Sequence, residues 1–278
     1  MPVLNLRIEM SQADRNHLEQ LAAHGRDQDE EKRIAQILNE RSRTIEQVKR
    51  IYAVVMGFAA WSCITNTYQC ARRLVDLSPQ PWDSYLMLAA QFVAFTSLIA
   101  LFYLGAERML DRKYLREDSL VPKWRGLWLD LFTLGTSALF FAVLANSYPY
   151  SSLPITSADV KSSLYIYFKD FVILLAVLYV WDIFSLLLQG SLLGRDIASR
   201  ELRKAYGVWI WINVASFIVI AIAYFGAGKW IATEEWRLAV IAIVLLVGHI
   251  IRFFADFILT FQFYFPSDDL TPAAASVV

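Results

Sequence analysis

Several kinds of chemistry are excluded by what this chain lacks. Glycine is scarce, at 11 of 278 residues, and no Gly-rich phosphate loop of the P-loop type surrounds Gly228-Lys229. There is no HExxH and no paired-Cys motif, and His249 has no second His beside it to form a metal pair. Cys63 and Cys70, the two cysteines, fall on one face of a helix, where a disulfide within that helix is geometrically implausible, so they read as packing residues. Neither Asp130 nor Asp182 has the Gly-x-Gly-Asp context of an intramembrane aspartyl protease. No residue is therefore assigned as catalytic, and neither cofactor nor metal is expected. The 26 basic and 26 acidic residues cancel, which argues against a nucleic-acid partner. The first fifty residues contain no apolar run, so they are not a cleaved signal peptide, and their acids argue against a mitochondrial presequence.

What the chain has in excess is apolar surface. Hydrophobic residues make up 57% of it and the mean hydropathy is +0.41, too apolar for a soluble domain of this length. Six apolar stretches follow one another, at about 51–70, 85–106, 126–147, 164–190, 206–231 and 238–265. Each approaches or exceeds the roughly 20 residues that cross a bilayer at about 1.5 Å per residue. Ten-residue alternation of a barrel is absent, and an open sheet leaves backbone groups unpaired in lipid. The expected fold is an all-α, polytopic six-helix membrane bundle over 51–265. A cytosolic helical segment (1–50) precedes it and a short disordered tail (266–278) follows. Trp61, Trp82, Trp124, Trp128, Trp209, Trp230 and Trp236 fall mostly near span ends, as an aromatic belt places them.

Basic residues concentrate in alternate connections. Arg108, Arg112, Lys113, Arg116, Lys123 and Arg125 follow the second stretch, and Arg195, Arg200, Arg203 and Lys204 follow the fourth. The positive-inside rule puts those loops and both termini in the cytosol, with the protein in the plasma (inner) membrane. The link from Gly226 to Arg237 is too short for a re-entrant potassium-type filter, and no Arg-every-third-residue run marks a voltage sensor.

In the N-terminal segment Leu4, Leu6 and Ile8 alternate with polar residues as in a short strand. Ser11 and Asp14 signal a helix start, a helix stops near Gly25, and a second begins near Asp27. The second carries Ile34, Leu38, Arg41, Ile45 and Val48 at heptad-like steps, a coiled-coil seam that suggests a homo-oligomer. This order, LNLRIEMSQADRNHLEQLAAHGRDQDEEKRIAQILNERS, resembles the ribbon-helix-helix family over residues 3–45. The resemblance implies dimerisation through the strand, with Asn5 and Arg7 as its outward residues; the richness in Asp and Glu runs against DNA contact.

Polar residues inside the spans carry the functional signal. His249, Arg252 and Asp256 share one face of the sixth stretch at spacings of three and four, where charge costs roughly 2.5 to 3.5 kcal/mol each. Counted from the cytosolic ends at 1.5 Å per residue, Asp130 lies ~6 Å deep, Asn213 ~10 Å, Asp182 ~12 Å, Asp256 ~13 Å and Arg252 ~20 Å. Asp130 continues into Thr133 and Ser137, Asp182 into Ser185 and Gln189, and Asn213 into Ser216. The stripes are expected to converge on one polar core open to the cytosol, with Arg252 paired to at least one of Asp130, Asp182 and Asp256. Three acids against one Arg leave negative charge for a proton, a small cation or water to satisfy. Two functions follow: proton or small-cation transport or permeation through Asp130, Asp182, Asn213, His249, Arg252 and Asp256, or a non-transporting anchor or sensor acting through its N-terminal helices.

Overall fold

The computed structural model describes residues 12–76, 82–114, 124–147, 157–192, 200–226 and 233–265. Among them every regular element is helical: α1 (Gln12–Asp76), α2 (Trp82–Tyr114), α3 (Trp124–Ala145), α4 (Ser157–Leu192), α5 (Arg200–Ala221), α6 (Glu234–Leu259) and the single turn α7 (Phe261–Tyr264). Six segments are long and apolar enough to cross a membrane: Ser42–Asp76, Trp82–Asp111, Gly126–Ala145, Ser163–Gln189, Leu202–Gly226 and Trp236–Leu259. Each contains most of one stretch read from the sequence. The protein is an all-α, multi-pass membrane bundle.

The distribution of side chains explains why. On α6 the outward face carries Ile243, Val247, Ile250, Ile251, Phe254 and Ile258 exposed, while His249, Arg252 and Asp256 are buried. Water would oppose that arrangement, whereas lipid favours it, because apolar side chains lose nothing in hydrocarbon and charges must turn inward. Between the helices, fully buried Phe95, Phe141, Phe168, Phe171 and Tyr179 form an aromatic core, with Phe95 and Phe141 edge to face at 5.8 Å.

Helix ends follow local chemistry. At the end of α3 the amide of Asn146 donates to Ala142 O at 2.8 Å. Asn66 of α1 donates to Ala145 O at 2.8 Å, which makes Asn66 a helix-helix contact. Within the fifth stretch α5 passes into a π-turn over Ile222–Gly226, and Arg237 donates to Tyr224 O at 3.0 Å; the expected continuation to 231 lies outside the described residues. The sixth, expected to run unbroken to 265, stops at Thr260. That hydroxyl back-bonds to Asp256 O at 2.5 Å, and the chain then turns once more as α7.

The chain divides into two compact units between Glu46 and Gln47, against the expected 50/51 boundary. In the first, α1 runs through Gly25, where the sequence suggested a stop. One glycine costs about 1 kcal/mol in a helix, too little to break a run whose neighbours are Ala, Gln, Glu, Leu and Arg. The strand at Leu4–Ile8, the side chains of Ile34 and Leu38, the loop residues Arg116, Lys123 and Arg195, and the tail after Phe265 lie outside the described residues.

Candidate functional site

Three helices bring the central group together. Asn213 on α5 stands between Asp182 on α4 and Arg252 on α6: its Nδ2 donates to Asp182 Oδ2, and its Oδ1 accepts from Arg252 Nη2 at 2.7 Å. A carboxylate only accepts and a guanidinium only donates, so these neighbours fix which way the amide points. The guanidinium carbon also lies 4.5 Å from the centre of the Tyr179 ring, a cation-π contact. Among the described residues Arg252 Nε and Nη1 are buried without a well-aligned hydrogen-bond partner.

Asp256 is reached from the other side. The break at Thr260 folds α7 back so that Tyr264 Oη donates to Asp256 Oδ2 at 3.0 Å, and Trp209 stands by the same carboxylate as a donor. Its Oδ1 is buried and unpartnered. Burial raises the phenol of Tyr264 above its ordinary value, and the charge of Asp256 adds to the rise. The four-residue spacing of Arg252 and Asp256 suggested a direct pair. Among the described residues Arg252 instead turns to Asn213, and it bears on Asp182 and Asp256 electrostatically. The reason is competition: Asn213, Tyr264 and Trp209 offer better-aligned partners than a helix neighbour.

His249 forms its own closed pair. Nδ1 lies 2.8 Å from Leu245 O, which only accepts, so Nδ1 carries the proton and Nε2 accepts from Tyr179 Oη at 2.7 Å. Both nitrogens are thereby occupied in the neutral tautomer. His249 orients Tyr179 beneath Arg252.

Asp130 does not join this group. It is fully buried in a separate cluster, with Lys113 Nζ at 2.8 and 2.6 Å from its two oxygens and Tyr114 Oη at 2.6 Å. The sequence reading counted Lys113 as a loop charge, yet α2 continues to Tyr114 and carries its ammonium inward. Burial lowers Lys113 from the usual lysine value, and Asp130, by its charge and hydrogen bonds, pulls it back up. Tyr114 is raised, first by burial and then by the adjacent Asp130 charge.

A cavity of about 90 Å³ adjoins the central group. Asp182, Asn213, Arg252 and Asp256 line it, and so do Thr133 and Ser137 from the Asp130 stripe and Ser185 and Gln189 from the Asp182 stripe. Thr133 spends its proton on Asp130 O at 3.0 Å, so it must accept from Gln189 Nε2 at 2.8 Å. That leaves Gln189 Oε1, with Ser185 Oγ, buried and without a partner. Of the residues expected to converge, the structure unites Asp182, Asn213, Arg252 and Asp256; it sets His249 behind Tyr179 and keeps Asp130 with Lys113. Sequence reasoning missed Tyr179, a mid-span aromatic indistinguishable from a packing residue, and Trp209, Tyr264 and Lys113, residue types ordinary near span ends.

Among the described residues no group of three or more His, Cys, Asp or Glu side chains is arranged to hold a metal ion. No family model matches the chain, and no curated protein or solved structure does either.

Proposed function

We propose that this protein moves protons or small cations across the membrane, with Asp182, Asn213, Arg252 and Asp256 as the carrier site. The observation that carries this reading is a cavity lined by Arg252, Asp182 and Asp256 together with Ser185 and Gln189, residues among which several polar atoms have no hydrogen bond. A purely structural ion cluster in lipid closes its hydrogen bonds, because each buried orphan costs about 1 to 3 kcal/mol. Here Arg252 Nε and Nη1, Asp256 Oδ1, Ser185 Oγ and Gln189 Oε1 stay open together. On α2 and α4 every cavity residue lies in the half of the helix nearer the α2–α3 or α4–α5 connection, while on α3 and α5 the lining reaches mid-helix. Those connections carry the basic residues, so we place that end, and both termini, in the cytosol of a plasma (inner) membrane.

A second reading, an anchor or sensor, draws on α1. That helix extends from Gln12, well ahead of its membrane-crossing part at Ser42–Asp76. Flux into liposomes holding the purified full chain separates the two. Transport predicts that the wild-type protein dissipates an imposed ion or proton gradient and that Asp182→Asn does not. Equal leak from both, or none from the wild type, sinks the transport reading.

A further inference from the structure

We propose that the species handled by this cavity is the proton, carried with water between Asp182 and Asp256, and that Arg252 bars both metal cations and anions. The inference rests on the transport reading above and narrows it.

The open groups in the cavity are of two opposite kinds. Among the described residues Arg252 Nε and Nη1 are donors without a well-aligned hydrogen bond, Asp256 Oδ1 and Gln189 Oε1 are acceptors without one, and Ser185 Oγ is able to be either. A dehydrated metal cation needs a shell of oxygen ligands, about six to eight for Ca²⁺, and offers the guanidinium only repulsion. An anion answers Arg252 but meets Asp182, Asp256 and the Gln189 carbonyl. A guest that donates and accepts at once suits a lining of both kinds, and water is such a guest. At about 90 Å³ the cavity has room for a few such molecules.

Charge then selects the proton from among neutral guests. With His249 held as a neutral imidazole by Tyr179 and Leu245 O, the ionisable groups around the cavity are Asp182, Asp256 and Arg252. Tyr52 from α1 bears on Asp182, and Tyr264 from α7 donates to Asp256; both are phenols and add no charge. Asp130 is balanced by Lys113. Two carboxylates against one guanidinium leave one negative charge, which a single proton cancels. A neutral solute leaves it in place.

The two carboxyls are held differently, which gives the proton two distinct stations. Asp182 is bound through Asn213 to Arg252, and Asp256 is bound through Tyr264 and Trp209. In the transfer, the O–H bond of the protonated carboxyl breaks toward a cavity water, and that water gives one of its own protons to the other carboxylate. Two O–H bonds break and two form, one of each on the water and one of each on the carboxyls; Arg252 keeps its charge throughout, and the net charge of the site is unchanged.

Two measurements on the full-length purified protein test this. Infrared spectroscopy at neutral pH should show a carboxylic-acid carbonyl band that Asp182→Asn or Asp256→Asn removes. In liposomes, an imposed pH gradient should collapse with only N-methylglucamine and gluconate as bulk ions, and this flux should be lost in Asp182→Asn. Movement of sodium, potassium or chloride without protons, and without the carbonyl band, overturns the proton assignment while leaving transport standing. Absence of every flux overturns both.

Discussion

Replacing Arg252 with Leu removes the only guanidinium in the central group. It breaks the hydrogen bond to Asn213 Oδ1 and the contact over the Tyr179 ring, and it leaves Asp182 and Asp256 facing a cavity with no cation. A charge-assisted hydrogen bond is worth about 1.5 to 3 kcal/mol. Removing one partner of a buried ionic set costs about 3 to 5 kcal/mol, and protonation of the abandoned carboxyls keeps Arg252→Leu within that range. Asp182→Asn should cost less, about 1 to 2 kcal/mol, because Arg252 retains Asn213 and Asp256. The informative quantity is the double mutant. Arg252→Leu with Asp182→Asn should recover at least about 1 kcal/mol relative to the sum of the single changes, since Asp182 is then no longer a stranded charge. Arg252→Leu with Asp256→Asn should recover less, because Asp256 is held by Tyr264 and Trp209 and not through Asn213. Thermal unfolding in one detergent, with all five variants compared, measures the coupling. Strict additivity for both pairs would show that Arg252 does not balance these acids, and the relay through Asn213 would be refuted.

Three further outcomes are expected. Lys113→Leu should destabilise the protein by about 3 to 5 kcal/mol by stranding fully buried Asp130, and Lys113→Leu with Asp130→Leu should regain much of it, both read by the same unfolding assay. Tyr114 and Tyr264 hold their protons above the ordinary phenol value of 10.0, so the native state binds more protons than the unfolded chain at high pH. Stability should therefore fall as pH rises past about 10, and Tyr264→Phe should flatten that fall in melting curves taken across the range. At Gly105 an added methyl group would meet the Trp209 ring and Tyr264 Oη at 3.7 Å, an ordinary contact, whereas a longer side chain would occupy the cavity. Gly105→Ala should keep liposome flux and Gly105→Leu should lose it without unfolding the bundle; equal flux in both would detach the cavity from transport.

The spans were legible because hydrophobic length is dictated by bilayer thickness, and the structure keeps all six with ends moved by a few residues. The shifted end of the sixth span has a local cause that hydropathy does not see, the Thr260 hydroxyl competing for Asp256 O. Polar stripes at spacings of three and four placed Asp182, Asn213, Arg252 and Asp256 on inward faces, since a buried charge in lipid has nowhere else to go. Pairing was less legible. Helical spacing joined Arg252 to Asp256, but partner choice depends on which side chains arrive from other helices. Asn213, Tyr264 and Trp209 arrive first. Asp130 was assigned to the same core by depth alone, and depth does not reveal that α2 runs on to bring Lys113 beneath it. Gly25 was overweighted, because a single glycine is a weak stop without the C-cap geometry that usually accompanies it.

Everything proposed for this site requires that the cavity be wet and reachable from one side of the membrane. Ser185 is the residue to probe, since it is buried, lines the cavity and has a hydroxyl without a protein partner. With Cys63 and Cys70 replaced by Ala, Ser185→Cys in sealed vesicles can be exposed to a small charged methanethiosulfonate from either face. Labelling from the face carrying the α2–α3 and α4–α5 connections, and not from the other, is the predicted result. A thiol that reacts from neither face, or only from the opposite one, would contradict it.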